Sequence, residues 1–118
     1  MNPPKKFRKV VRYKDYFDQF FVKQRIKVKQ KIIWTLELIE DIEVVPEKYL
    51  KHLTNTDGLY EVKVKFGTDN FRIFCFFDQD KLVVLMNGFQ KKTQKTPKTE
   101  IEKALKIKDE YEKERKQS

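Results

Sequence analysis

Three successive stretches between Tyr60 and Met86 carry the residue pattern of β-strands, and short turn sequences separate them. Tyr60, Val62, Val64 and Phe66 interleave with Glu61, Lys63 and Lys65, a period of two that sends the apolar residues to one face and the charges to the other. Gly67 to Asn70 supplies a hairpin turn. The next stretch, Phe71 to Phe77, places Phe71, Ile73, Cys75 and Phe77 on one side and Arg72, Phe74 and Phe76 on the other. After a turn at Asp78 to Asp80, Leu82 to Met86 is apolar on both faces, the mark of a central strand. Links this short require antiparallel neighbours, so the three strands form a meander.

Helical patterns flank this meander. Phe7 to Tyr13 has the β-branched and aromatic content of one more strand, and its charges suit a sheet edge. Asp15 is placed to cap a helix in which Tyr16, Phe17, Phe20 and Phe21 recur at helical spacing. No Gly or Pro interrupts Val22 to Val45, so a second helix is expected there, with Ile32, Leu36, Ile39 and Glu43 along one line and Ile33 beside them. Trp34 is assigned to the core, because Trp is usually highly buried, with an anchor for a partner as the other reading. Pro46 ends this helix, and the segment to Leu53 reads as a short helical turn packing Tyr49, Leu50 and Leu53. A last helix runs from Pro97 to about Lys113, with Thr96 as its cap and Ile101, Ala104, Leu105 and Tyr111 on its inner side. The order strand, two helices, three antiparallel strands, helix defines an α+β domain. Residues 1–118 are read as one such domain, with loose ends at 1–6 and 114–118.

Composition narrows the function. Lys and Arg number 27 against 18 Asp and Glu, giving a formal charge of +9, so the expected partner is anionic and nucleic acid fits best. No run of about 18 apolar residues exists to span a bilayer, and the basic start has no apolar segment behind it, so a cytoplasmic protein is expected. A single cysteine, Cys75, and a single histidine, His52, argue against a disulfide, a Cys-based metal site and paired-histidine catalysis. Cys75 is expected as a buried hydrophobe, and His52 as a structural or surface residue. No metal or other cofactor is expected.

The charged faces of adjacent meander strands form one surface, so Lys63, Lys65 and Arg72 should project together. The segment after Met86, Asn87 to Thr96, concentrates Lys91, Lys92 and Lys95, and brings Lys91 and Lys92 to the same side if it folds back over the sheet. A solvated loop is the other reading of such a lysine run. Converging cations repel unless an anion joins them, which makes this a candidate phosphate site. Crowding lowers a lysine's pKa and fits it for proton transfer near neutral pH, whereas arginine keeps its proton and clamps phosphate through paired hydrogen bonds.

The segments "KHLTNTDGLYEVKV", "FRIFCFFD", "LVVLMNGFQKKTQKTP" and "EIEKALKIKDEY", from about Lys48 to Tyr111, resemble the phage-derived Gp49-like, HigB-type branch of the RelE/ParE toxin superfamily. The resemblance implies a RelE-like fold with the helices on one face of the sheet. It also implies the toxin of a type II toxin-antitoxin pair, which cuts mRNA in the ribosomal A site without a metal, and a cognate helix-turn-helix antitoxin as partner. Carried over residue by residue, the resemblance falls on Lys63, Lys65, Arg72 and Lys91 or Lys92. Catalysis is assigned to Lys63, Arg72, Lys91 and Lys92, and RNA contact to Lys65, Gln90 and Lys95, with Phe74 either stacking a base or, as aromatics more often do, packing in the core. Relatives that use a Tyr or His near the C-terminus have no counterpart in the matching part of this chain; Tyr111, the nearest tyrosine, lies far along the last helix. A non-catalytic RNA- or ribosome-binding module, or a gyrase-directed toxin, is the alternative.

Overall fold

A computed structural model of the chain describes residues 6–117. Of the expected loose ends, Lys6 and residues 114–117 fall within that range, and residues 1–5 and 118 lie outside the described residues. The Lys6 ammonium pairs with Asp41 at 2.9 Å and Glu40 at 3.3 Å, and residues 114–117 continue the last helix.

The elements are β1 (Lys9–Arg12), α1 (Tyr16–Phe21), α2 (Ile26–Asp41), β2 (Leu50–His52), β3 (Tyr60–Phe66), β4 (Asp69–Asp78), β5 (Leu82–Lys91) and α3 (Lys98–Gln117). One five-stranded sheet has the order β1-β5-β4-β3-β2, with β1 parallel to β5 and all other pairs antiparallel. The expected α+β architecture and meander are present. The N-terminal strand is an edge, as its charges suggested. Its outer side is covered by α2: the Val10 amide donates to Glu40 Oε2 at 2.8 Å, and the Arg8 guanidinium donates to the carbonyls of Ile39 and Ile42 at the end of that helix. A cation among the last carbonyls also suits the helix dipole.

Four local expectations are corrected. The chain does not run helical from Val22. The Gln24 side-chain amide donates to the Phe20 carbonyl at 2.9 Å, closing α1 and leaving a turn before α2 begins at Ile26. Only the first part of Pro46 to Leu53 turns, with the amides of Tyr49 and Leu50 on the Pro46 carbonyl, and Leu50–His52 then pairs with Tyr60–Val62. An open strand edge satisfies these backbone groups, whereas a single helical turn does not repay its nucleation. Strand β5 continues to Lys91, through residues expected to be a loop. Finally, Thr96 donates to Glu61 at 3.4 Å, while the Pro97 carbonyl accepts the first bonds of α3.

The helices do not share a face. Phe17 and Phe20 of α1 and Val28, Ile32 and Ile39 of α2 pack on Val62, Val64, Phe71, Ile73, Cys75, Val83 and Leu85. Across the sheet, Ala104 and Ile107 of α3 pack on Phe74, Phe76, Val84 and Met86. Strands apolar on both sides demand cover on both sides, and β4 and β5 are such strands. Cys75 is fully buried and burial pushes its thiol pKa up, so it is a packing residue. Trp34 departs from its expected core role: it is 45% exposed on α2.

The register between β4 and β5 contains one irregularity. Ile73 pairs with Gly88 and Cys75 with Leu85, so Met86 and Asn87 together oppose Phe74. Both bulge residues point to the α3 side, since Met86 joins that core and the Asn87 amide donates to the Glu100 carbonyl at 3.3 Å. Beyond this β-bulge the alternation is inverted. Gly88 faces α1, where a Cβ would lie 2.5 Å from a ring carbon of Phe20, and Phe89 and Lys91 face the α3 side. Gly88→Ala is expected to destabilise the protein by about 1–3 kcal/mol through overpacking. Thermal unfolding should then show a midpoint lowered by about 5 °C or more. An unchanged midpoint would mean that the α1 ring does not lie flat on β5.

Candidate functional site

The cationic surface lies on the α3 side of the sheet, beyond the N-terminal end of that helix. Lys63 and Arg72 are direct partners in the β3–β4 ladder, as are Glu61 and Phe74, and Lys51 of β2 is opposite Glu61. Paired residues share a face, so Lys51, Glu61, Lys63 and Arg72 project to the side that holds Phe74. The inverted alternation of β5 adds Lys91 to this set. Without the bulge, Lys91 would point toward α1 and α2.

Arg72 is the inner member of the group. Only 8% of it is exposed, so it is a floor residue and not the solvent-side group that strand alternation suggested. Its Nη1 donates to the Phe71 carbonyl at 3.0 Å, and its Nε is 3.8 Å from Glu61 Oε1, beyond hydrogen-bond range. That buried Nε–H has no hydrogen-bond partner. Burial lowers the Arg72 pKa, and the Glu61 carboxylate partly offsets it. Glu61 is itself buried and holds the Thr96 hydroxyl, which ties the loop before α3 to the arginine.

Two adjoining clefts share Arg72 as a lining residue. The first, of about 550 Å³, is bounded by Lys48, Tyr49, Lys63, Lys65 and Asn70 and reaches Lys31 of α2. The second, of about 580 Å³, is bounded by Asp69, Asn70, Gln90, Lys91, Lys92 and Thr93. Each has the size of a small-ligand site. The Lys91 pKa is lowered by burial first and then by the charges of Arg72, Lys63 and Lys51, with Glu61 acting in the opposite sense.

Of the eight residues expected from sequence, the fold brings Lys63, Lys65 and Arg72 to the first cleft and Gln90, Lys91 and Lys92 to the second. It does not bring Phe74, which is fully buried with its ring 5.6 Å from that of Phe89. No base can reach it, because the apolar face of α3 covers it. Lys95 is exposed but lines neither cleft. Tyr111 donates to Asp78 at 2.6 Å, at the opposite end of β4 from Arg72. His52 is exposed beside Tyr60, ring to ring at 5.0 Å. Lys51 and Glu61 were missed. Lys51 lies in a segment whose pattern reads as helical, and Glu61, in plain alternation with Lys63, is the one acidic member of an otherwise cationic face.

Among the described residues, no group of three or more His, Cys, Asp or Glu side chains is placed to share a metal ion, and no helix is long and apolar enough to cross a membrane. The groups that converge here are mainly cations, with Glu61 beside Arg72 and Asp69 at the rim of the second cleft, which suits a phosphodiester or another bulky anion.

These features define a small α+β protein with a basic cleft on one face of a mixed sheet. Residues 19–109 match the family model described as phage-derived protein Gp49-like (DUF891), well over half of the chain, and the chain belongs to that family. The Gp49-like family is part of the RelE/HigB group of toxins and implies a toxin-antitoxin context. No curated protein matched the chain.

The lowered Lys91 pKa has a defined consequence for stability. A lysine whose pKa falls on folding releases its proton at lower pH in the native state than in the unfolded chain. The unfolded state therefore binds more protons between the two values, and stability rises with pH across that window. At pH 7, below the window, the charged Lys91 is a net cost. Lys91→Met is expected to raise the unfolding midpoint at pH 7 in dilute buffer, by less at about 1 M salt, where screening is short-ranged. Added inorganic phosphate should stabilise the wild type more than this variant. A lower midpoint for Lys91→Met in dilute buffer would show that the cluster carries no repulsion.

Proposed function

We propose that this protein is the toxin of a type II toxin-antitoxin pair, an endoribonuclease that cuts mRNA in the ribosomal A site and so arrests translation. The observation that carries the reading is the meeting of Lys63, Arg72 and Lys91 on one face, in a member of a toxin family. Such a site suits a reaction in which RNA supplies its own nucleophile. The 2′-oxygen attacks the adjacent phosphorus, the bond to the 5′-oxygen breaks, and the products are a 2′,3′-cyclic phosphate and a 5′-hydroxyl end. One proton leaves the 2′-hydroxyl and one reaches the departing 5′-oxygen.

Lys91, whose pKa is lowered, takes the proton from the 2′-hydroxyl in this scheme. Lys63, facing Arg72 across the ladder, protonates the leaving oxygen. The Arg72 guanidinium, at the floor of both clefts, holds the non-bridging oxygens as their charge builds through the edge it presents to them. Glu61 orients the arginine. Lys92, Lys65 and Gln90 hold neighbouring parts of the strand at the rims of the two clefts. The partner that controls such a toxin is a cognate helix-turn-helix antitoxin covering the basic surface, in the cytoplasm.

Lys63 and Lys91 are the sites for mutational tests, since removing the buried Arg72 also strands Glu61 without its cation. Lys91→Ala and Lys63→Ala are each expected to lower the cleavage rate about 10²–10⁴-fold while the fold persists. Primer extension on cellular mRNA after induction checks this: discrete cuts inside translated codons should appear with the wild type and fade with both variants. Equal cutting by wild type and variants would remove these residues from the mechanism. DNA breaks in place of mRNA cuts would move the protein to a gyrase-directed activity.

A further inference from the structure

Trp34 stands on the solvent side of α2 and is nearly half exposed, an unusual position for the most costly apolar side chain to leave in water. It is not isolated there. The Lys31 ammonium lies 4.3 Å from its ring centroid, and Tyr49 meets it at 5.7 Å between centroids and a 69° interplanar angle. Lys27, Gln30, Lys31 and Phe66 line a shallow depression with it.

This depression joins the basic cleft. Lys31 lines both, and Tyr49, the indole's neighbour, lines the cleft that holds Lys63, Lys65 and Arg72. The connection follows from the short β2. That strand pairs only with Tyr60–Val62, and Tyr49 supplies one further bond, its carbonyl accepting from the Lys63 amide at 2.9 Å. The remainder of β3 has an uncovered edge, over which the cleft reaches α2. No carboxylate lines either depression. A route of lysines ending on an aromatic ring matches a single-stranded nucleic acid, whose phosphates follow the cations and whose bases stack on rings.

We propose that Trp34, with Lys31 and Tyr49, is a base-stacking subsite for a nucleotide flanking the cleaved phosphodiester of single-stranded RNA. The proposal rests on the RNA reading of the basic cleft and extends it to a second contact on α2. Lys31 has the reach to move from the ring to a phosphate as the base takes its place. A protein ligand would need acidic side chains to satisfy the same lysines, and it is the competing occupant that the experiment separates.

Trp34 is the single tryptophan of the chain, so its fluorescence reports directly on the subsite. The full chain is titrated with 2′-O-methyl octa-adenylate, which lacks the attacking hydroxyl and cannot be cleaved, and with the corresponding dinucleotide. The octamer is expected to quench Trp34 emission saturably. By fluorescence anisotropy of a labelled octamer, Trp34→Ala should bind about five- to hundredfold more weakly, with Trp34→Phe restoring much of the loss. The dinucleotide should bind Trp34→Ala and wild type alike, whereas Lys91→Ala weakens both ligands. Matching far-ultraviolet circular dichroism of the variants secures the comparison. Octamer binding with unquenched Trp34, or with full affinity in Trp34→Ala, would overturn the subsite while leaving the cleft intact. Should neither oligonucleotide bind the wild type, the RNA reading of the cleft falls and the subsite with it. Should Trp34→Ala lose the antitoxin's hold but not the octamer, the patch belongs to a protein contact.

Discussion

The two-for-one mismatch opposite Phe74 determines which surface of this molecule is cationic. Met86 and Asn87 both turn toward α3, and from Gly88 onward every residue of β5 lies on the opposite side from the one that simple alternation assigns. One extra residue therefore carries Lys91 across the sheet to Arg72 and Lys63. The same shift exposes position 88 to α1, where the Phe20 ring leaves no room for a side chain. Site and core are thus linked through one strand: the glycine that lets α1 lie on the sheet directly follows the bulge and is three residues from the lysine.

Electrostatics gives the basic surface its cost and its use. Arg72 is held in a largely dry position with Glu61 as its near carboxylate, and a hydrogen bond is left unmade at Nε. A buried donor without an acceptor costs about 1–3 kcal/mol, and Lys91 bears the repulsion of three further cations. Several charges elsewhere are paired. Lys108 lies between Asp57 and Glu112, Lys14 between Glu110 and Glu114, and Arg25 meets Asp69. The contrast matters more than the net charge of +9, because Lys51, Lys63, Arg72 and Lys91 meet on one face of the sheet with only Glu61 acting against their repulsion.

The strands and helices were largely legible in sequence because each depends on neighbours along the chain. The alternation of Tyr60 to Phe66, the two-sided apolar pattern of Phe71 to Phe77 and the helical recurrence of Phe17, Phe20 and Phe21 each specify local structure and an inner face. Failures arose where a distant partner decided the matter. Leu50 to His52 became a strand because β3 offered an edge, Asn87 to Lys91 remained extended because β4 was long enough to pair with it, and Trp34 stayed at the surface because Val28, Ile32, Thr35 and Ile39 already filled the buried side of α2. The covering of Phe74 was implicit in its strand. A residue flanked by apolar neighbours on both sides of a sheet calls for a second layer, and α3 is the element left to supply it.

By itself the sequence determined the architecture, the excess of positive charge and the family motif, since periodicity, composition and residue order require no knowledge of distant contacts. Tertiary structure alone decided which cations meet. Lys51, Lys63, Arg72 and Lys91 come from four strands, and their convergence depends on ladder register and on one bulge. A shift of a single residue in a strand reverses the face of everything beyond it, and no local pattern in the chain records where that shift occurs.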